Sequence, residues 1–376
     1  MKRRIKLLFV IENACYGGGE KTFSLLLRSL PKEKFAVYCA ALPSGRFYDE
    51  VREHCRFLPL DLSCRFNLLN AGRLKKMMLD YGIDLAHSQG ARADFYCAAA
   101  AAKAGVRAVS TVAMPVEGFE VGLIKKKFYL ALNALAEKRM HSFITVSGFL
   151  KELLVHQHGI AFGKVAVIPN PAVLEGGPGF DASGVIAELN LRGRVVLAAL
   201  GRLEDQKGFD ILLGALSILK EKSPEAFEKI KCVIAGSGSR ENALRRQAAP
   251  MGDKILFTGF RNDVRDFLSA ADIFVLPSRS EGQPLALLEA MSLGKPVLSA
   301  DLPGVTEIIS DGDNGALFKT GDPAALSERL AALLADPAGA CRLGAKAAAT
   351  ASRFTLDSFL ERHEDFYLKI FSEAPR

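Results

Sequence analysis

The 376-residue sequence contains no apolar run approaching the roughly 18 residues that a membrane-spanning helix needs. Its start superficially resembles a signal peptide, because basic residues precede an apolar stretch. The uninterrupted apolar core is only Leu7–Ile11, however, and Glu12 follows it at once. That core is too short for a signal peptide, so the segment predicts a first buried strand.

Cysteines are few and show no ligand spacing. The seven lie at positions 15, 39, 55, 64, 97, 232 and 341, without a CxxC or Cys/His pattern. An odd, scattered set is typical of reduced thiols, which favours a cytoplasmic protein. His156 and His158 have no obvious carboxylate or cysteine partner in the sequence, so we expect structural or surface histidines rather than metal ligands.

Several common binding motifs are also absent. There is no Walker A loop, GxSxG elbow or HExxH motif. Gly236-Ser237-Gly238 precedes a helical pattern, but Glu241 stands where a dinucleotide fingerprint needs its third glycine, so NAD is not supported. The formal net charge is +7, yet no zinc-finger, recognition-helix or RNP pattern accompanies it. Nucleic acid is therefore not an expected partner.

The sequence does contain a regular alternation of short apolar runs and helical patterns. Such runs include IKLLFVI at 5–11 and RVVLAALG at 194–201. Near-continuous apolar strands between helices indicate parallel sheets covered on both faces. Two such series flank the Gly-rich stretch 175–183, which is typical of a linker. The predicted fold class is α/β, with doubly wound domains at 1–171 and 172–354 and a final amphipathic helix over 355–376.

Two glutamates, Glu281 and Glu289, are separated by seven residues in the segment SEGQPLALLEAMSLGKP. Pro284 suits the first helical turn, and the apolar run after it predicts a buried helix that ends near Gly294. One carboxylate would precede this helix and the other would lie inside it. Carboxylates accept hydrogen bonds from hydroxyls, so a sugar or ribose is a plausible ligand, as against two ordinary surface glutamates.

The loop after the 194–201 strand carries Arg202 and Lys207, five residues apart. Ligands of open α/β sheets bind at the carboxyl ends of strands, where these cations could hold a diphosphate. A solvated basic loop is the alternative. The first strand likewise runs into Gly17-Gly18-Gly19, which could admit an anion to a helix N-terminus or simply form a tight turn. Asp311 and Asp313 form a DxD, but SDGDNG is a turn sequence, and we favour a turn over a metal site.

Together these motifs resemble those of family-4 retaining glycosyltransferases with the GT-B fold. The similarity rests on the E-x7-E of Glu281 and Glu289, on Gly201-Arg202 with Lys207-Gly208, on AGSG at 235–238, on FTGF at 257–260 and on the whole of 270–309. It covers nearly the entire chain. The resemblance implies two Rossmann-like domains facing across a cleft, with the last helix packed back on the first domain.

The resemblance also implies roles for individual residues. Catalysis would rest on Glu281 at the donor hexose and on Arg202 and Lys207 at the leaving diphosphate. Glu289 would hold the ribose. The implied donor-binding set is Gly17, Gly18, Arg202, Lys207, Phe260, Arg261, Glu281, Gly282, Gln283, Pro284, Leu285 and Glu289. No metal is expected, because binding of the leaving diphosphate by Arg202 and Lys207 requires none. No cofactor is expected either, because the donor, a UDP-hexose in the leading interpretation, is a substrate.

The expected reaction is hexose transfer with retention to a glycan or lipid-linked acceptor, in envelope polysaccharide or lipopolysaccharide assembly. Many relatives carry a histidine where this chain has Ala113-Met114, and Asn170-Pro171 stands where Asn-Gly is frequent. These departures leave open an inactive nucleotide-sugar-binding protein. A GDP-sugar donor, a soluble acceptor and a sugar-phosphate epimerase of the same architecture are further alternatives, and the E-x7-E pattern argues against the last.

The acceptor side offers one further hypothesis. Lys125, Lys126 and Lys127 lie in a helical stretch with apolar and aromatic neighbours. A basic amphipathic segment of this kind can bind an anionic membrane surface, although a packed helix with a solvated basic face has the same pattern. We therefore expect a cytoplasmic protein that binds peripherally to the inner face of the membrane.

Overall fold

A computed structural model describes residues 3–13, 16–63, 67, 69–114, 133–174 and 181–373. The chain divides into two compact units. Unit 1 is Met1–Asn170 with Asp357–Arg376, and unit 2 is Pro171–Leu356. Each contains one sheet, and every strand pairing among the described residues is parallel. The prediction of two doubly wound α/β domains is confirmed.

The sheet of unit 1 has the order β3-β2-β1-β4-β5-β6-β7. Its strands are β1 Ile5–Ile11, β2 Phe35–Ala41, β3 Arg56–Pro59, β4 Leu85–Gln89, β5 Arg107–Val112, β6 Ser142–Thr145 and β7 Val165–Val167. Its helices among the described residues are α1 Gly18–Ser29, α2 Gly45–Val51, α3 Leu69–Tyr81, α4 Ala91–Ala104 and α5 Gly148–His156, with residues 133–137 also helical.

The position of β1 explains its composition. It pairs with β2 on one side and β4 on the other, and all its residues except Lys6 are buried. Helices cover both faces, so nearly every residue is apolar. The last helix of the chain, α15 (Leu356–Ser372), belongs largely to unit 1. The hydroxyl of its Tyr367 lies 2.6 Å from Nδ1 of His87 on β4.

The sheet of unit 2 has the order β10-β9-β8-β11-β12-β13. Its strands are β8 Val195–Leu200, β9 Ile230–Ala235, β10 Ile255–Gly259, β11 Ile273–Leu276, β12 Val297–Ala300 and β13 Ala316–Phe318. Its helices are α6 Ala182–Glu188, α7 Phe209–Lys222, α8 Pro224–Lys229, α9 Glu241–Ala248, α10 Val264–Ser269, α11 Leu285–Ser292, α12 Pro303–Thr306, α13 Pro323–Ala335 and α14 Pro337–Ala351.

Local signals place several helix ends. Asp322 caps α13 by accepting hydrogen bonds from the backbone N–H groups of Ala324 and Ala325, and Pro323 occupies the first helical position. Two expectations need correction. Pro284 caps α11 instead of lying within its first turn, and α6 begins at Ala182, inside the stretch that composition assigned to a linker.

No helix in the described part of the chain is both long and apolar enough to cross a bilayer. The helical stretch predicted around the three lysines falls within residues 115–132, which lie outside the described ranges. Lys125, Lys126 and Lys127 therefore also lie outside the described residues.

Candidate active site

The strand order of unit 2 creates a switch point beside β8. The chain runs outward from β8 to β9 and β10, then returns to place β11 on the opposite side of β8. The loops after β8 and β11 therefore leave the sheet in different directions. Open α/β sheets bind ligands in the crevice that this divergence produces. Both loops carry the polar residues that the sequence singled out.

The β8 loop is held against its neighbours by close backbone packing. It forms a single 3-10 turn, Asp205–Lys207, which ends at Gly208 in the left-handed conformation with a φ of 64°. A Cβ at Gly208 would overlap the carbonyl of Pro277, at the end of β11. Glycine therefore meets two requirements here, the positive φ and the close approach of another backbone. The packing places Lys207 beside the β11 loop.

Lys207 and Glu281 form an ion pair across the switch point. Lys207 Nζ lies 2.6 Å from Oε1 of Glu281, and Ser278 Oγ donates to the same oxygen at 2.7 Å. The Glu281 side chain is 7% exposed and that of Lys207 is 18% exposed. Gln206 Nε2 also donates to the carbonyl of Ser280 at 2.6 Å. These contacts fix a carboxylate and an ammonium in one orientation, ready to bind hydroxyls and an anion respectively.

Arg202 lies in the same loop but is exposed. Its charge acts on Glu204: burial alone would raise the pKa of that carboxyl, but hydrogen bonds from Ser239 and the charges of Arg202 and Arg240 lower it. Glu204 accepts from both the N–H and the hydroxyl of Ser239, at 2.9 and 2.6 Å. This contact ties the β8 loop to the loop after β9.

The second glutamate, Glu289, lies inside α11 and is 3% exposed. It interacts with other groups of the protein. The loop before α11 is compact, because a Cβ at Gly304 on α12 would overlap the carbonyl of Gly282. Gln283 is buried at 7% exposure. α11 begins at Leu285, four residues after Glu281, and the backbone N–H groups of its first turn favour an anion.

The residues predicted to flank a nucleotide base show two different environments. The Phe260 ring, which follows β10, is 51% exposed. Arg261 is bound instead by two carboxylates: it donates to Glu188 at 3.0 and 2.9 Å and to Asp263 at 2.8 and 2.5 Å. The hydrogen bonds that Arg261 donates to Glu188 first, and then to Asp263, raise the pKa of its guanidinium. Phe260 thus presents an exposed ring surface, while the Arg261 side chain braces α6 and α10.

In unit 1 the Gly-rich turn opens helix α1. Gly17 is its N-cap residue and Gly18 its first residue, and the Gly17 N–H donates to Oε2 of Glu20 at 2.9 Å. Ala14 and Cys15, which precede this turn, lie outside the described residues. The turn follows β1, so it also stands at the carboxyl edge of its sheet.

The structure shows the contacts of the DxD aspartates and of the two histidines that were considered as metal ligands from the sequence. Asp311 and Asp313 lie in a turn, where Asp311 pairs with Arg329 at 2.5 Å and Asp313 with Lys346 at 2.6 Å. The turn borders a cavity of about 350 Å³, separate from the switch point. The expectation that His156 and His158 lack carboxylate partners is wrong.

His156 Nε2 lies 2.8 Å from Glu152, and His158 Nδ1 lies 2.6 Å from Glu137. The residues of the first pair are four apart on one helix, so their spacing could be read from the sequence. The second pair is a tertiary contact.

Sequence reasoning missed two residues of the switch point, Ser278 and Gln206. Both are buried polar side chains at 0% and 8% exposure. Their signal was weak: Ser278 is the first hydroxyl after a fully apolar strand, and Gln206 stands beside Lys207 in the loop. A polar residue directly after a buried strand is the pattern that could have found Ser278.

Two models of known protein families match this sequence, and together they cover most of the chain. The model described as "Glycosyltransferase Family 4" matches residues 16–175, and the model described as "Glycosyl transferases group 1" matches residues 186–350. The chain belongs to the family-4, group 1 glycosyltransferases. The switch point with Lys207 and Glu281 lies within the group 1 match.

Two relatives illustrate the range of similarity. The Escherichia coli UDP-Gal:alpha-D-GlcNAc-diphosphoundecaprenol alpha-1,3-galactosyltransferase is 28% identical over 311 residues, which cover 78% of this glycosyltransferase and 78% of the relative. The Streptomyces avermitilis D-inositol 3-phosphate glycosyltransferase is 31% identical over 225 residues, 57% of this chain and 48% of the relative. The second match spans about half of that relative's length.

A solved structure extends the comparison to the whole fold. Anabaena Alr3699/HepE in complex with UDP-glucose is similar with a TM-score of 0.84 and 21% identity, covering 97% of this glycosyltransferase and 100% of that chain. Similarity at this identity establishes the fold. The predicted GT-B fold is confirmed.

Proposed function

We propose that this glycosyltransferase moves a hexose from a UDP-sugar, with retention, to a glycan or lipid-linked acceptor in envelope polysaccharide or lipopolysaccharide assembly. The observation that carries the proposal is the Lys207–Glu281 pair at the switch point of unit 2, which joins an anion-binding ammonium to a hydroxyl-binding carboxylate. The E. coli relative, named for UDP-Gal and a lipid-linked acceptor, and the UDP-glucose complex of HepE support this choice of substrates.

The diphosphate would bind at the cations. In this proposal Lys207 and exposed Arg202 contact its oxygens, and the N–H groups of Gln283 and Leu285, on either side of Pro284 at the start of α11, add further donors. Gly17 and Gly18 would approach the phosphates from unit 1. Positive charge at this position stabilises the diphosphate as it accepts negative charge, which lowers the barrier to departure.

The sugar and nucleoside would bind along the β10 and β11 loops. Glu281 accepts hydrogen bonds from the hexose hydroxyls, with Gly282 and Pro284 shaping the backbone beside it. Glu289 accepts from the ribose hydroxyls. The exposed Phe260 ring and the backbone of Arg261 flank the base, since the Arg261 side chain is occupied by Glu188 and Asp263.

The proposed chemistry uses no metal and no protein base. The anomeric carbon–oxygen bond to the diphosphate breaks, and its electron pair leaves with the diphosphate. The acceptor oxygen bonds to the anomeric carbon on the same face, and the acceptor proton passes to the leaving phosphate oxygen. Arg202 and Lys207 bind the leaving group throughout, and Glu281 holds the hexose in place.

A thermal-shift screen of UDP-, GDP- and ADP-sugars tests the donor. We expect UDP-sugars to raise Tm, because a ligand bound only to the folded state stabilises it. In Glu281→Ala, transfer should collapse while UDP still raises Tm, whereas Gln157→Ala, on an exposed residue at the end of α5, should leave both unchanged. No shift with any nucleotide sugar would contradict the donor assignment.

Two finer points have their own measurements. NMR of the product should show the anomeric configuration of the donor, and inversion would refute retention. Activity should survive exhaustive treatment with EDTA, and loss that Mg²⁺ or Mn²⁺ restores would refute metal independence.

An inactive nucleotide-sugar-binding protein is the second candidate, and Ala113-Met114 in place of the family histidine favours it. Binding of UDP-sugars without hydrolysis or transfer over a broad acceptor panel would support this candidate. The thermal-shift screen would identify a GDP-sugar donor, and the acceptor panel would identify a soluble acceptor.

We also propose a cytoplasmic location with peripheral binding to the membrane through Lys125, Lys126 and Lys127. The basis is the sequence pattern alone. Wild type should sediment with vesicles containing anionic lipid more than a charge-reversal variant of the three lysines does, and equal recovery would contradict the proposal.

A further inference from the structure

Unit 1 has a switch point of its own. β1 pairs with β2 on one side and β4 on the other, so the loops after β1 and β4 leave the sheet in opposite directions. By the same rule as in unit 2, a ligand is expected at the carboxyl ends of these two strands. Apart from Gly17 and Gly18, the roles proposed above use none of the residues there.

An ion pair bridges this switch point as well. Arg92, in the first turn of α4, lies 2.7 Å from Oε1 of Glu12, which directly follows β1. Arg92 also donates to the carbonyls of Leu62 and Ser63, at 3.0 and 2.8 Å. The side chains are 23% and 25% exposed. Because the two charges offset each other, this pair presents polar atoms without a net charge.

The carboxamide of Gln89, the last residue of β4, lies at this switch point next to Gly19 of α1. Its backbone pairs with Ile11 and Thr111, which fixes its position, and its side chain is half-buried. Within the described part of the chain the carboxamide makes no hydrogen bond. A carboxamide can donate two hydrogen bonds and accept two, so this group can bind a polar ligand.

Gly19 leaves the space in which this carboxamide lies. A Cβ at Gly19, the second residue of α1, would come within 2.5 Å of Nε2 of Gln89. The contact is with the end of a flexible side chain, so an alanine here would displace the carboxamide without disturbing the backbone. The absence of a Cβ at Gly19 thus leaves room for the carboxamide of Gln89 in its observed position.

We propose that Gln89 binds a hydroxyl group of an uncharged sugar on the acceptor, beside the Glu12–Arg92 pair. The inference rests on the proposed function, since it assigns the acceptor to unit 1. The charge balance decides the chemical class: an uncharged amide next to a neutralised ion pair suits hydroxyl groups, whereas a phosphate would need surplus positive charge such as Lys207 and Arg202 supply in unit 2.

The test measures binding of neutral glycosides directly, so that the natural acceptor need not be known. The probes are the methyl α-glycosides of glucose, galactose, mannose and N-acetylglucosamine, added with UDP and followed by saturation-transfer NMR. We expect at least one to bind wild type and the Gln157→Met control. In Gln89→Met its Kd should rise at least about tenfold, because the hydrogen bonds to the hydroxyl are lost.

Gly19→Ala supplies an independent variant. It retains the carboxamide but displaces it, so it should weaken glycoside binding as Gln89→Met does. Its Tm should be unchanged or higher, because alanine is the better helix former. UDP should raise Tm equally in wild type, Gln89→Met and Gly19→Ala. An unequal effect would assign Gln89 to the donor and overturn the proposal.

The remaining outcomes are equally decisive. If neither variant weakens glycoside binding, or if no neutral glycoside binds wild type, the assignment of Gln89 is wrong. Displacement of the glycoside by inorganic phosphate at similar concentration would overturn the choice of an uncharged ligand. Failure of the proposed function has a different signature, namely that UDP and UDP-sugars do not raise the Tm of wild type at all.

Discussion

Lys207 Nζ and Glu281 Oε1, 74 residues apart in sequence, lie 2.6 Å from each other at the switch point of unit 2. The ammonium proposed to bind the diphosphate is therefore already bound to the carboxylate proposed to bind the hexose. If the proposed roles are correct, donor binding exchanges this partner: the diphosphate would replace Glu281 at Lys207, and the hexose hydroxyls would replace Lys207 at Glu281. The pair holds both side chains in place before the donor arrives.

Glu281→Gln should separate these two roles. Without the competing carboxylate, Lys207 is released for the diphosphate, so UDP should bind more tightly, by about 1 kcal/mol or roughly fivefold. Transfer from the UDP-sugar should nevertheless fall by at least tenfold, since the amide is the weaker acceptor. Calorimetry with UDP and a transfer assay measure the two effects. Weaker UDP binding in Glu281→Gln would show that the pair does not compete with the diphosphate.

Gly208→Ala should be among the most destabilising single substitutions in unit 2. The residue combines a φ of 64° with a Cβ position that overlaps the Pro277 carbonyl. Gly193 is a matched control, because its φ is 71° and nothing lies within 4 Å of its Cβ position. We expect about 1–2 kcal/mol of strain from Gly193→Ala and several kcal/mol from Gly208→Ala. Urea unfolding measures both, and equal losses would disprove the role of the Pro277 contact.

Stability should fall in mild acid because two histidines of unit 1 are buried. Burial, and the charge of His363, hold the pKa of His87 well below its ordinary range, and burial lowers the pKa of His363 to about 4. Unfolded histidines bind a proton below pH 6.5. The stability they contribute is therefore complete above pH 6.5 and is lost as the pH falls toward 4, at about 1.4 kcal/mol per pH unit for each group.

His363→Phe should remove one of these contributions. The variant keeps a planar ring beside Phe359 and His87, so its free energy of unfolding should depend less steeply on pH between 6.5 and 4. The exposed residue His156 gives the control, His156→Gln. Denaturant unfolding at several pH values measures the slopes, and equal slopes for wild type and His363→Phe would refute this origin of the acid sensitivity.

The contribution of Asp94 to stability should depend on pH in the opposite direction to that of the two histidines. Burial raises the pKa of this carboxyl to about 7, although hydrogen bonds from Ser88 and Ser110 oppose the shift. The favourable state is the protonated one, so stability is lost as the pH rises from the unfolded pKa near 3.8 toward 7. Asp94→Asn cannot ionise. Its stability relative to wild type should therefore rise by a few kcal/mol between pH 4 and 7 and stay level above that.

The same measurement has a clear contrary outcome. If the difference in stability between Asp94→Asn and wild type does not change with pH, the carboxyl is ionised in the folded state throughout. Glu50 contrasts with Asp94. Hydrogen bonds from Ser24, Arg46 and Tyr16 outweigh the effect of burial at Glu50 and lower the pKa of its carboxyl.

The glutamates and cations of unit 2 could be predicted from sequence because local rules position them. Apolar runs identify β8 and β11, so Arg202, Lys207 and Glu281 had to follow strand ends, and the apolar helix pattern placed Glu289 inside α11. Local rules also explain the small error at Pro284, since a proline at the N-cap and one in the first turn leave nearly the same pattern.

Contacts between distant segments could not be predicted in this way. His158 meets Glu137 through the packing of separate elements, and Gln89 lies against Gly19 because β4 is the neighbour of β1. Strand order is not encoded in the periodicity of any one segment. No property of Gln89 in the sequence distinguishes it from a surface glutamine.

The sequence by itself determined the alternation of strands and helices, the two α/β domains and the residue types at the ends of β1, β8 and β11. Periodicity and short-range backbone preferences are sufficient for these features. Only the tertiary structure decided which of those ends meet. The order of strands in each sheet joins Lys207 to Glu281 and Arg92 to Glu12, because parallel strands bring their carboxyl ends together regardless of their separation along the chain.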